Sequence, residues 1–191
     1  RLVAPFCDAT GQWLPLWCTM NCTTPAEEVR KAFGLEHAAL TAAAQAEPSG
    51  CGGVQFLPYF AGERAPDWPN ARAVLHGLTP GALRPGLLYR AALEGAAFCL
   101  RLGLEHMPIQ ARELRVVGGG ARNPLWRRIL ADLFQAPLVF PAEAETAALG
   151  AALQAAAAVS GARVAEFVAK HPPAVEAGRV EPRADRALLD A

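Results

Sequence analysis

Charge of one sign is the first thing this chain lacks. Lys and Arg together number 18, Asp and Glu 18, and the formal net charge is zero. Without a basic field, nothing here attracts a nucleic-acid backbone or an anionic membrane. Long apolar runs are missing too. The Ala-rich stretch over 147–159 falls short of the ~18 residues that a membrane span needs, and Gln154 interrupts it. The first residues carry no signal-peptide pattern. No disulfide frame is visible either. The five cysteines, Cys7, Cys18, Cys22, Cys51 and Cys99, are an odd number without a C-x-x-C pair, which suits reduced thiols in a cytoplasmic protein. Cys18 and Cys22 have no His near them in sequence, so core thiols are expected rather than a metal site. The four histidines are scattered, and none sits beside a Ser, Cys or Asp in a hydrolase pattern, which excludes a recognisable triad. Internal repeats are absent. So is an initial Met: the chain opens at Arg1 straight into R-L-V-A-P-F-C, as a piece cut from a longer protein would.

What is present suits a folded lobe. A chain of 191 residues, 52% hydrophobic and 19% charged, can bury one sizeable core and is not disordered by composition. The most telling stretch is L-R-V-V-G-G-G-A-R-N-P-L-W over 114–126. Val116 and Val117 read as a short β-branched strand running into three glycines, after which Asn123 and Pro124 open a helix. Glycine lets a flat ligand approach the backbone without a Cβ in the way, and a helix N-terminus offers N–H groups that lack partners. Two readings stand at this level: a nucleotide-binding turn, or a tight strand–helix turn that binds nothing. The spacing excludes the two commonest glycine loops. Gly118 and Gly120 are followed by Asn123 where a dinucleotide fingerprint needs its third glycine, and no Lys follows as a P-loop requires.

Along the chain, D-A-T-G-Q-W over 8–13 reads as a hairpin turn with Gly11 at a turn position. Thr24, Pro25 and Glu27 predict a helix over 24–33, with Thr24 as cap, Pro25 first and Glu27 closing a capping box before Gly34 stops it. A second helix is expected over 36–46, a strand over 54–59 and a long ordered loop over 61–78. A long helix over 87–107 is predicted to carry Leu88, Ala92 and Phe98, near Leu102, on one apolar stripe. A helix over 124–135, a strand over 138–140 and helices over 146–160 and up to Lys170 follow. The alternation implies an α/β sheet with helices packed on its faces. Gly150, Ala151 and Ala152 would thin one side of the helix over 146–160 for close approach to the sheet or the glycine turn. Glu63 and Arg64 read either as cleft residues or as an ion pair holding the long loop. Glu94 reads as a buried or capping acid rather than a catalyst.

Five ordered motifs then carry a resemblance: F-L-P-Y-F-A-G-E-R-A-P (56–66), N-A-R-A-V-L-H-G-L-T (70–79), R-A-A-L-E-G-A-A-F (90–98), G-G-G-A-R-N-P-L-W (118–126) and T-A-A-L-G-A-A (146–152). Together they resemble the C-terminal lobe of the carbohydrate kinases that include xylulose, glycerol and gluconate kinases, and the G-E-R-x-P loop is most similar to the xylulose kinases. The match thins after Val159. One departure is Leu87, which stands where the family usually carries a polar or acidic residue.

The resemblance implies an actin-like, ribonuclease-H-like ATPase lobe, a mixed sheet with helices packed on its faces, over 1–170, with a surface tail over 171–191. It implies ATP and Mg2+ as cofactors and phosphoryl transfer to a pentulose, with D-xylulose suggested by the loop. Adenine would lie against the backbone of Gly119, Gly120 and Ala121, with Asn123 as a polar contact. Asn21, Cys22 and Thr23, ahead of the helix opened by Thr24, match the family's phosphate-side loop; Thr24 as a simple N-cap is the other reading of that segment. The partners implied are a missing N-terminal lobe, which would hold most of the sugar, and the sugar itself; a homodimer is compatible. The catalytic carboxylate is expected upstream of Arg1. Phosphoryl transfer is mostly positioning and electrostatics, so this chain alone is expected to bind ATP weakly and to phosphorylate nothing. A non-kinase actin-like ATPase and a degenerate regulatory lobe are the alternatives.

Overall fold

The long helix α3 (Pro85–Glu105) is the axis around which the rest of the chain is arranged. Pro85 pre-sets its first turn, and from Gly86 to Ala97 nearly every residue is buried. It does not bury a single stripe. Helices α1 (Thr24–Phe33), α2 (His37–Gln45) and α4 (Pro124–Phe134) and the strand β3 (Gln55–Leu57) all pack on it. Leu88 and Ala92 are core residues, whereas Phe98 is 43% exposed, because the packing partners enclose the helix's first half and cover its second half only in part. Leu87 lies inside the first turn of α3 and is buried, so core packing takes the place of a cap there. The coordinates are a computed structural model and describe residues 2–183. Arg1 and the end of the tail, 184–191, lie outside the described residues.

Among the described residues the strands come in three pairs. β1 (Ala4–Cys7) and β2 (Trp13–Leu16) form the expected hairpin, with Gly11 at φ 81. β3 pairs antiparallel with β4 (Val74–His76), which lies inside the stretch expected to be loop. Three residues with a proline-rich approach leave too little pattern to read as a strand; the partner across the sheet makes it one. β5 (Leu114–Arg115) pairs in parallel with β6 (Leu138–Val139), and the Val116 amide extends the pair by donating to the Val139 carbonyl at 3.1 Å. Mixed strands with helices laid over them make the α/β lobe. β3 lies directly on α3: a Cβ on Gly95 would run into the Phe56 carbonyl oxygen, so only glycine admits that approach.

A buried ion pair ties α3 to the loop that follows α2. Arg90 Nε donates to Glu94 Oε1 at 2.7 Å, and the other guanidinium nitrogens donate to the Glu47 carbonyl (3.1 Å) and Ser49 Oγ (2.9 Å). Glu94 Oε2 accepts from the Gly50 amide at 3.1 Å. Burial raises the Glu94 carboxyl above its ordinary value and outweighs the opposing pull of Arg90. Glu94 is thus the buried acid expected of it.

The C-terminal part departs furthest from expectation. In α5 (Thr146–Val159) Ala157 is the one buried residue; its contacts are with α6 (Val164–Lys170), and the space beside Gly150 is open. Its small face approaches neither the sheet nor the glycine turn. The tail, in contrast, turns back. Val180 exchanges backbone hydrogen bonds with Leu138 at 2.9 and 3.0 Å, and the Glu176 amide donates to the Phe140 carbonyl at 2.7 Å. Asp132, buried in α4, accepts from the Arg183 amide at 2.9 Å and from its guanidinium Nε at 2.8 Å.

Candidate nucleotide cleft

A cleft of about 740 Å³ opens where the N-terminal ends of α1 and α4, the side of α2, and Tyr89 and Leu93 of α3 converge on the glycine turn. The turn itself is a 3-10 segment, Gly119–Arg122, entered through Gly118 at φ 87, a left-handed conformation that strains any residue with a Cβ. Gly119 and Gly120 face the cleft. Ala121 does not: it is buried behind them, so two of the three residues expected face the cleft, and Arg122 at the end of the turn lines it as well.

Asn123 sits in the wall with every side-chain atom committed. Its Oδ1 accepts from the Leu125 amide (2.9 Å) and the Trp126 amide (3.2 Å), and its Nδ2 donates to Thr41 Oγ1 (2.9 Å) and Tyr89 OH (3.3 Å). This corrects two expectations. The cap consumes the first free amides of α4, and Pro124 contributes none, so that helix end offers no spare N–H for an anion. The Asn123 side chain holds helices together instead of reaching for a ring.

From Tyr89 the network continues outward. The Tyr89 hydroxyl and His37 Nδ1 share a hydrogen bond of 2.9 Å, and His37 Nε2 lies 3.2 Å from Glu27 Oε2. Arg30 grips the same carboxylate in a fork, Nε to Oε2 at 2.9 Å and Nη2 to Oε1 at 2.8 Å. That hydrogen bond, more than any other influence, brings the Glu27 carboxyl down to about 2. Burial pushes the Tyr89 hydroxyl and the Cys22 thiol up from their ordinary values. α1, α2, α3 and the α4 cap are thereby stitched into one wall.

On the opposite approach, Cys22 and Thr23 line the cleft. The N-cap of α1 is Thr23 rather than Thr24, and it makes no side-chain cap bond. The capping box is absent because Glu27 is taken by Arg30 and His37. Asn21 is not in the cleft. It is buried and braces the long loop, donating from Nδ2 to the Gly62 carbonyl at 2.6 Å and accepting at Oδ1 from the Ala61 amide at 3.2 Å. Glu63 completes that brace: it accepts from the Met20 amide at 2.7 Å and the Arg64 amide at 2.8 Å. Glu63 therefore holds the loop, though not through an ion pair, since the Arg64 guanidinium turns to Cys18 Sγ at 3.4 Å.

Sequence reasoning missed most of the cleft lining. Trp126, Tyr89, Thr41, His37 and Glu27 all line it, as do Ala38 and Ala42 of α2. Ala38 and Ala42, spaced i and i+4, are small residues on one helix face, a pattern that marks a close approach. Nothing local to Tyr89 marks it as the hub.

Residues 2–159 match the FGGY family of carbohydrate kinases, C-terminal domain. The chain is 37% identical over 157 residues to a xylulose kinase of Haemophilus influenzae, covering 81% of this chain and 32% of that protein. It is 46% identical over 119 residues to a glycerol kinase of Alkalilimnicola ehrlichii, covering 59% of this chain and 24% of that one. Among solved structures, the xylulose kinase of Bifidobacterium adolescentis superposes with a TM-score of 0.76 at 31% identity, covering 99% of this chain and 38% of that chain. The chain thus spans about a third of the length of the curated xylulose kinases it matches.

Proposed function

The chain belongs to the FGGY family of carbohydrate kinases, and from that premise we propose that it is the ATP-holding part of an enzyme that moves the γ-phosphoryl group of MgATP to a hydroxyl of a pentulose. The names of its relatives favour D-xylulose as that sugar. One observation carries the nucleotide assignment: a cleft of about 740 Å³ with two glycines in one wall and the small face of α2, Ala38 and Ala42, in another. Such a slot suits a flat ring. A Cβ on Gly120 would project among Trp126 and Thr23, both of them cleft residues, so glycine there keeps the slot open. The phosphates fit the Cys22–Thr23 end, where the first turn of α1 carries no side-chain cap and its dipole favours negative charge. MgATP, when bound, supplies the activated phosphoryl group; the residues of this chain shape its seat and orient it.

The base lies elsewhere. Glu27 is the acid among the cleft-lining residues, and it is saturated by Arg30 and His37 with its carboxyl held near 2, too weak to take a hydroxyl proton. A second lobe, carrying the base and most of the sugar contacts, is the partner this reading requires. The unpaired cysteines support a cytoplasmic setting.

The test is a thermal-shift titration with MgATP, with NAD as control. Ligand at one hundred times its dissociation constant adds about 2.7 kcal/mol, and a domain of this size gains ~2–4 °C per kcal/mol. A shift with ATP but not NAD, lost in Gly120→Val, is the expected result. Equal shifts with both ligands would refute the assignment. Sugar-dependent ADP formation by the 191-residue chain alone would refute the claim that the base lies elsewhere.

A further inference from the structure

The glycine turn has almost nothing to hold it from the cleft side. A Cβ on Gly118 or Gly119 would meet no atom within 4 Å, and Val117, just before them, is half-exposed. A segment with so few contacts of its own opens easily unless it is pinned from behind. The pin is visible. Arg127, one turn into α4, reaches back, and its Nε donates to the carbonyl of Ala121, the buried residue of the turn. Its guanidinium carbon lies 3.6 Å from the centre of the Phe140 ring, and its Nη1 is 3.3 Å from Glu176 Oε2. One planar cation thus joins the turn, the end of β6 and the tail.

The tail segment 174–183 is in turn fastened on both flanks. At Val180 it exchanges backbone bonds with Leu138 of β6, and its Glu176 amide donates to Phe140 just past that strand; on α4 it is gripped by Asp132 through Arg183, while Arg128 Nη1 donates to the Glu181 carbonyl at 2.6 Å. None of its residues lines the cleft.

We infer that Arg127 is a positioning residue for the nucleotide turn, and that the strap 174–183, acting through Glu176, holds Arg127 in place. This rests on the reading of the cleft as a nucleotide site. Arg suits the task because its fork can donate to a carbonyl and a carboxylate from separate nitrogens while its face stacks on an aromatic ring; Lys has neither the fixed fork nor the planar face. Glu176 keeps the guanidinium aimed at the turn instead of at solvent.

Two measurements on the full 191-residue chain test the inference, using the variants Arg127→Lys, Glu176→Gln and Glu176→Asp. The first is amide hydrogen exchange without nucleotide. Arg127→Lys and Glu176→Gln are expected to speed exchange over 118–123 by about tenfold and to leave 87–97 of α3 unchanged, while Glu176→Asp, which keeps the charge, stays near the parent. Unchanged exchange over 118–123 in Arg127→Lys overturns the proposal. So does an increase of equal size in α3, which would make Arg127 an ordinary stabilising residue. The second measurement is the MgATP dissociation constant, expected to rise several-fold in the two loosened variants. A turn that loosens without any change in MgATP binding also overturns the proposal. If the parent chain binds no MgATP, the nucleotide reading fails by itself, and the exchange data still decide whether Arg127 and the strap pin the turn.

Discussion

Substituting Gly120 separates what the glycine turn does for the ligand from what it does for the fold. Gly120 is not in the left-handed region, and a Cβ built on it would lie 3.7 Å from Trp126 Nε1, 3.8 Å from Thr23 Cγ2 and 3.9 Å from Trp126 Cδ1, all ordinary contact distances. Alanine therefore fits the folded chain without strain. Where the native conformation tolerates it, Gly→Ala stabilises by ~0.4–1 kcal/mol through the unfolded state. At ~2–4 °C per kcal/mol for a domain of this size, the melting temperature of Gly120→Ala should rise by ~1–4 °C. The same methyl group enters the cleft between Trp126 and Thr23, where the ring is placed. MgATP affinity should fall by at least about tenfold, ~1.4 kcal/mol. Calorimetric titration with MgATP, alongside thermal melts without ligand, reads both quantities on one preparation. Gly118→Ala is the control: at φ 87 and ψ 175 with open space around it, it should lose ~1–3 kcal/mol of stability from backbone strain. A Gly120→Ala chain that melts several degrees below the parent, or binds MgATP as tightly, would refute the reasoning.

Three other substitutions probe the walls of the cleft and its support. Asn123→Ala removes a cap worth ~0.5–2 kcal/mol and takes a hydrogen bond from Thr41 and Tyr89, so thermal melts should show a loss of at least ~2 kcal/mol; a near-neutral result would mean that water replaces the amide fully. Arg90→Met strands the buried Glu94 carboxylate and should cost about 3–5 kcal/mol by urea denaturation, whereas Arg90→Met with Glu94→Leu should cost less than the single change. A double variant that is less stable than the single one would contradict this. Glu27→Gln tests the outer end of the network by pH. Because the Glu27 carboxyl is lowered to about 2 in the folded chain, its contribution is fully present above the unfolded value of ~4.3 and is lost as pH falls towards 2. The melting-temperature gap between parent and variant should therefore close on acidification; a gap that widens would be the wrong sign.

Most of the helices were legible because their punctuation is local. Pro25 and Pro124 each stand in the first turn of a helix, and Gly34 ends α1 in the left-handed conformation, whereas the start at Pro85, two residues before the expected 87, was not read. The actin-like α/β lobe followed from motifs in fixed order. What escaped the sequence depends on partners far along the chain. β4 is a strand because β3 lies beside it. The tail is a strap because Asp132, 51 residues before Arg183, accepts its amide and guanidinium. Asn21 and Thr23 are two positions apart, yet one faces a loop and the other the cleft, a division settled by where 61–63 passes.

Asn123 shows the limit most sharply. Cap and ligand contact are both sound readings of an Asn after a glycine turn, and they compete for the same two atoms. The structure gives both atoms to the fold, through two backbone amides, Thr41 and Tyr89. With Glu27, His37 and Tyr89 committed to one another as well, this part of the polar lining is already satisfied without ligand, whereas Thr23, Gln45 and Arg122, which also line the cleft, lie outside that network. Such a wall is costly to rearrange, since breaking any one bond leaves a partly buried partner unpaired. The slot is therefore set by the packing of four helices before any ligand arrives. Fit to a flat ring then rests on shape, on the two glycines and on the small residues of α2, and the glycine turn is the part of the wall that needs separate fastening.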